Sequence, residues 1–78
     1  MEPDWDELRG RMTALTMRQL QPIKRAWFMG LLGGASSKAE TVSIMVSQAR
    51  YWWHEGLNER VEHVLEDLEA AEREVCGS

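Results

Sequence analysis

The spacing of apolar residues along this chain predicts four α-helices and no β-strand. Three of the helices begin at a capping box, in which a Ser, Thr or Asp side chain and a Glu or Gln side chain three residues later each accept a hydrogen bond from the other residue's backbone N–H. These pairs are Asp4 with Glu7, Thr16 with Gln19, and Ser37 with Glu40. We therefore expect helices over about residues 5 to 14, 17 to 29, 38 to 53 and 59 to 75, in a small all-α bundle of three to four helices.

The second predicted helix contains a proline and ends before a glycine. Its apolar positions are Met17, Leu20, Ile23 and Trp27. Gly30 suits the C′ position, where the backbone often turns left-handed. Pro22 lacks an N–H and crowds the preceding turn, so we expect the helix to bend there or to begin only there. The sequence LLGGASS over residues 31 to 37 then predicts an ordered, extended connection anchored by its leucines.

The third predicted helix has apolar residues on two faces. Its inner face is expected to comprise Ala39, Val42, Met45, Val46, Ala49 and Trp53. At 100° per residue, Ile44 and Tyr51 fall on the opposite face, and Trp52 lies at the edge of the inner face. We therefore expect this helix either to be central in the fold or to lie at an interface.

The last predicted helix carries the apolar spacing of a coiled coil. Gly56 breaks the chain before it, and Asn58 is expected to cap it. The seam consists of Leu57, Val61, Val64, Leu68, Ala71 and Val75. Fewer than three heptads are too short for an independent coiled coil. The seam must therefore pack either on the rest of the chain or on a second copy, which would give a homodimer.

The length and composition favour one small domain in a reducing compartment. A chain of 78 residues forms one domain at most, and its four tryptophans and five methionines must supply a dense core. The single cysteine, Cys76, excludes an internal disulfide. No apolar run approaches the roughly 20 residues of a membrane helix, and the acidic start lacks the features of a secretory signal. We therefore expect a cytoplasmic protein that does not enter membranes.

Charge is segregated along the chain, although the net charge is only -4. Residues 1 to 8 carry four acids and no base, residues 9 to 53 carry seven bases and one acid, and residues 54 to 78 carry eight acids and two bases. A basic middle between acidic ends has two interpretations. Either the ends pack on the middle and neutralise it, or the middle binds a polyanion.

Little in the sequence favours catalysis, a metal or a cofactor. Acid–base and nucleophilic chemistry need titratable groups that converge in a pocket. His54 and His63 are nine residues apart, whereas two metal ligands on one helix would be four residues apart. Residues 33 to 38 read GGASSK, which lacks the GK[ST] ending of a nucleotide-binding loop. We expect a non-enzymatic protein without a cofactor.

Two short sequences open the helices on either side of the predicted connection. Leu-Thr stands at the start of the helix before it, and Lys-Ala-Glu stands at the start of the helix after it. With these two sequences in this order, the segment over residues 15 to 46 resembles the SAP and helix-extension-helix group of nucleic-acid-binding motifs. The matching residues are Leu15, Thr16, Leu20, Gly30, Leu31, Lys38, Ala39, Glu40 and Val42. We accordingly divide the chain into a short helix over residues 5 to 14, a helix-extension-helix core over 15 to 53 and an acidic helix over 57 to 75. The double glycine is also similar to the loops of helix-hairpin-helix motifs, which contact the same sugar–phosphate backbone.

The first functional hypothesis is a DNA-binding module. The resemblance implies that the connection and the start of the following helix contact DNA, and the nearby bases would add phosphate contacts that weaken with salt. The candidate residues are Arg18, Lys24, Arg25, Gly34, Ser36, Ser37, Lys38 and Arg50.

The second hypothesis is a small protein-binding adaptor, of the kind that regulates phages or mobile elements. Surplus aromatic residues often anchor protein interfaces, and an acidic helix can imitate the charge of DNA. The candidate partner or dimer residues are Ile44, Tyr51, Trp52, Leu57, Val61, Val64, Leu68, Ala71 and Val75.

Overall fold

The computed structural model describes residues 1–30 and 37–77, with side chains given as far as residue 74. It contains the helices α1 (Trp5–Ala14), α2 (Met17–Trp27), α3 (Lys38–His54) and α4 (Asn58–Gly77). The predicted all-α fold is confirmed, because the described residues form four helices and no strand. Three candidate site residues lie outside what the structure describes. They are Gly34 and Ser36, together with the side chain of Val75.

The helix starts follow from local capping. The side chain of Asp4 accepts hydrogen bonds from the backbone N–H groups of Asp6 and Glu7, and that of Ser37 accepts one from the N–H of Glu40. Thr16 and Gln19 form the complete reciprocal capping box, at 2.8 and 3.1 Å. These contacts satisfy N–H groups that have no partner inside the helix.

Two helix boundaries differ from the prediction. α2 continues through Pro22 without starting there, and it ends at Trp27 because Phe28 leaves the helical conformation to enter the core. Gly30 follows with a φ of 90°, which suits glycine. Asn58 is the first residue of α4 rather than its cap, because the carbonyl of Leu57 already accepts a hydrogen bond from the N–H of Val61 at 3.4 Å. The chain turns before this helix at Gly56, with a φ of 86°.

Contacts between side chains fix the directions of the helices. α1 packs antiparallel on α3, since the rings of Trp5 and Trp53 lie 6.4 Å apart at one end. α3 and α4 are antiparallel neighbours joined by the turn at Gly56. α2 runs antiparallel to α4, because Trp27 reaches Asp67, near the middle of α4, while the start of α2 faces its C-terminal part. The starts of α2 and α3 therefore lie at the same end of the bundle.

All four helices contribute to one core. Its buried apolar residues are Leu8, Met12, Leu15, Leu20, Ile23, Phe28, Val42, Met45, Val46, Trp52, Val61, Val64, Leu68 and Ala71. Phe28 stacks on Trp52 with 5.1 Å between ring centroids, which joins the end of α2 to α3. Thr41 is the buried polar residue of this region, and its hydroxyl donates to the carbonyl of Ser37 at 2.9 Å.

The inner face of α3 is rotated slightly from its predicted position. Trp52 is only 5% exposed, whereas Trp53 is partly exposed and Ala39 is exposed. The prediction placed Trp52 at the edge because it counted the apolar residues of α3 alone. Phe28, which arrives from α2, covers Trp52 and draws it into the core.

The apolar seam of α4 packs within the chain. Val61, Val64, Leu68 and Ala71 are buried against α2 and α3, as the intramolecular alternative expected. Leu57, at the start of the seam, is 45% exposed. As far as the chain is described, none of the helices is long and apolar enough to cross a membrane.

Candidate nucleic-acid interface

The charge segregation of the sequence becomes a segregation between helices. α2 carries three bases and no acid, and α4 carries seven acids and two bases. These two helices pack on each other through their apolar faces. The positions of the individual charges therefore decide whether α4 neutralises the basic residues or leaves them exposed.

One base of the middle segment is neutralised by α4. The guanidinium of Arg11 donates to both carboxylate oxygens of Glu72, from Nε at 3.0 Å and from Nη2 at 2.6 Å. These hydrogen bonds lower the pKa of Glu72 and raise that of Arg11. Two hydrogen bonds from one guanidinium to one carboxylate make this a strong type of ion pair, although both side chains are about one third exposed.

Other acids at the two ends contact aromatic or histidine side chains instead of Lys or Arg. Asp67 of α4 accepts a hydrogen bond from the indole Nε1 of Trp27 at 2.7 Å. The ring of His63 stacks on Trp27 at 5.7 Å between centroids. At the other end of the sequence, Glu2 accepts from the indole of Trp5 at 2.6 Å. These contacts hold the acidic segments against the bundle without covering the bases of α2.

The bases of α2 point away from the core. Arg18 and Arg25 are seven residues apart, so they lie on the same side of the helix, opposite the buried Leu20 and Ile23. Both arginines are exposed, and Lys24 is partly exposed. Lys24 and Arg25 share a shallow groove at the end of α2. Its lining residues are Gln21, Lys24, Arg25, Phe28, Met29 and Gly30.

Lys38 lies on a different part of the surface. It lines a cleft between the end of α1 and the start of α3, together with Arg9. The neighbouring Ser37 is exposed, and its Oγ accepts a hydrogen bond from the N–H of Glu40 at 3.2 Å. Sequence reasoning missed Arg9, because only the antiparallel packing of α1 on α3 brings residues 29 positions apart into one cleft.

The structure does not gather the predicted bases into one cluster. Arg18 lies at the same end of the bundle as Lys38, and Lys24 lies about 9 Å further along α2 at 1.5 Å per residue. Arg50 is exposed and lies twelve residues after Lys38, which corresponds to about 18 Å along α3. The bases form an elongated distribution, with one pair at the α1–α3 cleft and another at the end of α2.

These bases have no acidic partner within the described part of the chain. No carboxylate there lies within ion-pair distance of any of them; the carboxylates that do approach a basic side chain lie beside Arg11, His54 and His63. The bases concerned are Arg9, Arg18, Lys24, Arg25, Lys38 and Arg50. Among the residues that the structure describes, Arg11 is thus the one Lys or Arg of the basic middle that pairs with an acid.

The candidate partner residues divide into surface and core. Tyr51 is 58% exposed, and Ile44 on the same face of α3 is partly buried. Trp52 belongs to the core, where the guanidinium of Arg60 lies 5.0 Å from its ring centroid. We therefore correct its assignment to a surface interface. The same correction applies to Val61, Val64, Leu68 and Ala71, whose burial serves the fold of this chain.

The described residues contain no group of three or more His, Cys, Asp or Glu side chains that could hold a metal ion. The candidate site consists of the exposed and partly exposed Lys and Arg side chains of α1, α2 and α3. Comparison of the chain with protein-family models, curated proteins and solved structures found no match.

Proposed function

We propose that this protein is a non-enzymatic DNA-binding module that contacts the phosphate backbone through the outer face of α2 and the start of α3. The observation that carries the proposal is the set of bases without acidic partners. Arg18, Lys24, Arg25, Lys38 and Arg50 are surface cations, whereas Glu72 and Asp67 of α4 contact Arg11 and Trp27. Cations of this kind are the usual partners of phosphate oxygens.

The packing of α2 on α4 explains how a protein of net charge -4 can attract DNA. Packed helices have axes about 8 to 10 Å apart, and the Debye length at physiological salt is about 8 Å. A phosphate that approaches the outer face of α2 therefore meets Arg18 and Arg25 first, and salt screens much of the repulsion from α4. Such binding is electrostatic and depends little on DNA sequence.

The positions of the sequence motifs support the same proposal. The Leu-Thr sequence at residues 15 and 16 directly precedes α2, and the Lys-Ala-Glu sequence at residues 38 to 40 opens α3. These are the positions that the resemblance to helix-extension-helix motifs requires. The Gly-Ser part of the implied contact surface, at Gly34 and Ser36, lies in the undescribed segment and remains a prediction.

Fluorescence anisotropy with a labelled duplex of mixed sequence tests this proposal. We expect binding that weakens steeply between about 50 and 200 mM salt. The double variant Arg18→Gln and Arg25→Gln should bind more weakly and lower the slope of log K against log salt by about 2, since each phosphate contact contributes about 0.9. Arg73→Gln, an exposed arginine on acidic α4, is the matched control and should leave the slope unchanged. Absence of binding even at the lowest salt would contradict the proposal.

A protein-binding adaptor is the second candidate, and one observation favours it. Tyr51 and Met29 are 58% and 82% exposed, and both residue types are common at protein interfaces. Photo-crosslinking from a benzoyl-phenylalanine at position 51 tests this alternative in the presence of cell extract. A specific protein adduct, absent when the crosslinker replaces the exposed Ser47 on the same helix, would favour the adaptor.

A further inference from the structure

Arg9 and Lys38 form a pair of cations from two different helices in a single cleft. The cleft lies between the last turns of α1 and the first turn of α3. Its lining residues are Arg9, Thr13, Lys38, Ala39 and Val42. No acidic side chain is among these lining residues, and none in the described ranges comes within ion-pair distance of either cation.

The surroundings of the two cations leave their hydrogen-bond donors for a ligand. Val42 is buried at the base of the cleft, and Ala39 adds a small apolar surface beside it. The hydroxyl of Thr13 donates to the carbonyl of Arg9 at 2.7 Å, so it is used within α1. The polar groups of the cleft that remain are the guanidinium of Arg9, with five N–H donors, and the ammonium of Lys38, with three.

Two like charges in one cleft favour the binding of an anion. They repel each other, and no carboxylate of the described residues lies within ion-pair distance to compensate this repulsion. An anion between them removes the repulsion and accepts charge-assisted hydrogen bonds from both sides. A phosphodiester has two non-bridging oxygens, one for each cation, and its attached sugar offers carbon atoms to the apolar base of the cleft.

We propose that the α1–α3 cleft binds a phosphodiester group of DNA, with Arg9 and Lys38 both donating to its oxygens. This inference rests on the proposed function and adds to it a residue, Arg9, from outside the segment that carries the sequence motifs. It adds α1 to the proposed DNA-binding surface, whereas the sequence analysis placed no DNA contact on this helix.

The test compares Arg9→Gln, Lys38→Gln and the double variant with Arg73→Gln in the anisotropy assay, across the same salt series. Each single variant should weaken binding about three- to tenfold at low salt, and the double variant should lower the salt slope by about 0.9, the contribution of one phosphate contact. Because both cations hold one phosphate, the double variant should lose less than the product of the two single losses. Arg73→Gln should bind as the wild type does. Arg9 is exposed, and an unchanged circular dichroism spectrum would exclude misfolding as the cause.

The outcomes separate this inference from the proposed function. If Lys38→Gln weakens binding while Arg9→Gln behaves as Arg73→Gln does, the shared phosphate site is wrong and DNA binding stands. If the wild type binds no duplex at any salt concentration, both proposals fail. An NMR titration with inorganic phosphate at constant ionic strength distinguishes the source of the anion. Shifts at Arg9 and Lys38 in a protein that does not bind DNA would assign the cleft to free phosphate and overturn the inference.

Discussion

At the scale of single residues, the ion pair between Arg11 and Glu72 connects α1 to α4 over 61 positions of sequence. Both side chains are about one third exposed, so the pair competes with water and contributes about 0.5 to 1 kcal/mol. Its bidentate geometry places it at the upper part of that range. The pair also removes one cation from the surface that a polyanion would meet.

The pair predicts a specific pH dependence of stability. The hydrogen bonds from Arg11 hold the pKa of Glu72 below its usual value of about 4.3, so the unfolded chain takes up the proton at a higher pH than the folded protein does. The stabilisation is therefore complete above the unfolded pKa and is lost as the pH falls through the folded pKa. Glu72→Gln should lower the free energy of unfolding by about 0.5 to 1 kcal/mol at pH 7, and this loss should shrink near pH 3.

Urea unfolding at both pH values measures this effect. Glu62→Gln is the matched control, because Glu62 is exposed on the same helix and forms no ion pair with another described residue. A loss in Glu72→Gln that is equal at both pH values would show that the glutamine disturbs packing and that the ion pair contributes nothing.

At the scale of the helices, local capping chemistry predicts the starts of α1, α2 and α3, but it does not predict where α2 ends. The capping residues Thr16 and Ser37 bind N–H groups within three residues of themselves, so sequence reasoning found the starts of α2 and α3. The end of α2 depends on Phe28, which leaves the helix because Trp52, on another helix, offers it a stacking surface. Contacts of this kind between distant residues cannot be read from apolar spacing.

Pro22 gives a test at this scale. It lies in the interior of α2, where it provides no N–H to the carbonyl of residue 18 and crowds that carbonyl. Proline costs a helix interior about 3 kcal/mol relative to alanine, and part of this is offset because proline also restricts the unfolded chain. We therefore expect Pro22→Ala to stabilise the protein by about 1 kcal/mol.

Thermal unfolding followed by circular dichroism should show this as a rise in Tm of about 4 to 8 °C for a domain of this size. Gln21→Ala is the control, since Gln21 is the exposed neighbour on the same helix and should change stability by less than about 0.5 kcal/mol. A lower Tm in Pro22→Ala would mean that α2 needs the proline to pack on α4.

At the scale of the whole molecule, the sequence predicted that basic and acidic segments differ but not how they meet. The first interpretation of the charge pattern holds for Arg11, which α4 neutralises, but α4 leaves the bases of α2 without a described acidic partner. The second interpretation, binding of a polyanion by the basic middle, stays a prediction. Which bases share a surface depends on helix directions. The antiparallel course of α1 and α3 pairs Lys38 with Arg9, whereas sequence proximity had grouped Lys38 with Lys24 and Arg25.

The same charge map predicts that α4 opposes DNA binding from a distance. Glu62 and Glu69 are exposed on α4, and replacing both with glutamine changes the net charge from -4 to -2. If DNA lies against α2 and the α1–α3 cleft, these acids act only through long-range repulsion. The double variant should then bind a duplex about two- to fivefold more tightly at about 0.01 M salt, where the Debye length is about 30 Å. The difference in affinity between this variant and the wild type should vanish as salt shortens the Debye length to a few ångströms.

The anisotropy assay measures this prediction with the salt series as its internal control. A contact between α4 and DNA that is bridged by ordered water or cations would give the opposite result, since the glutamines would then weaken binding. An effect that persists unchanged at high salt would also contradict long-range repulsion, because screening removes it. The direction of the change therefore reports which side of the molecule faces the DNA, and its salt dependence reports whether α4 touches it.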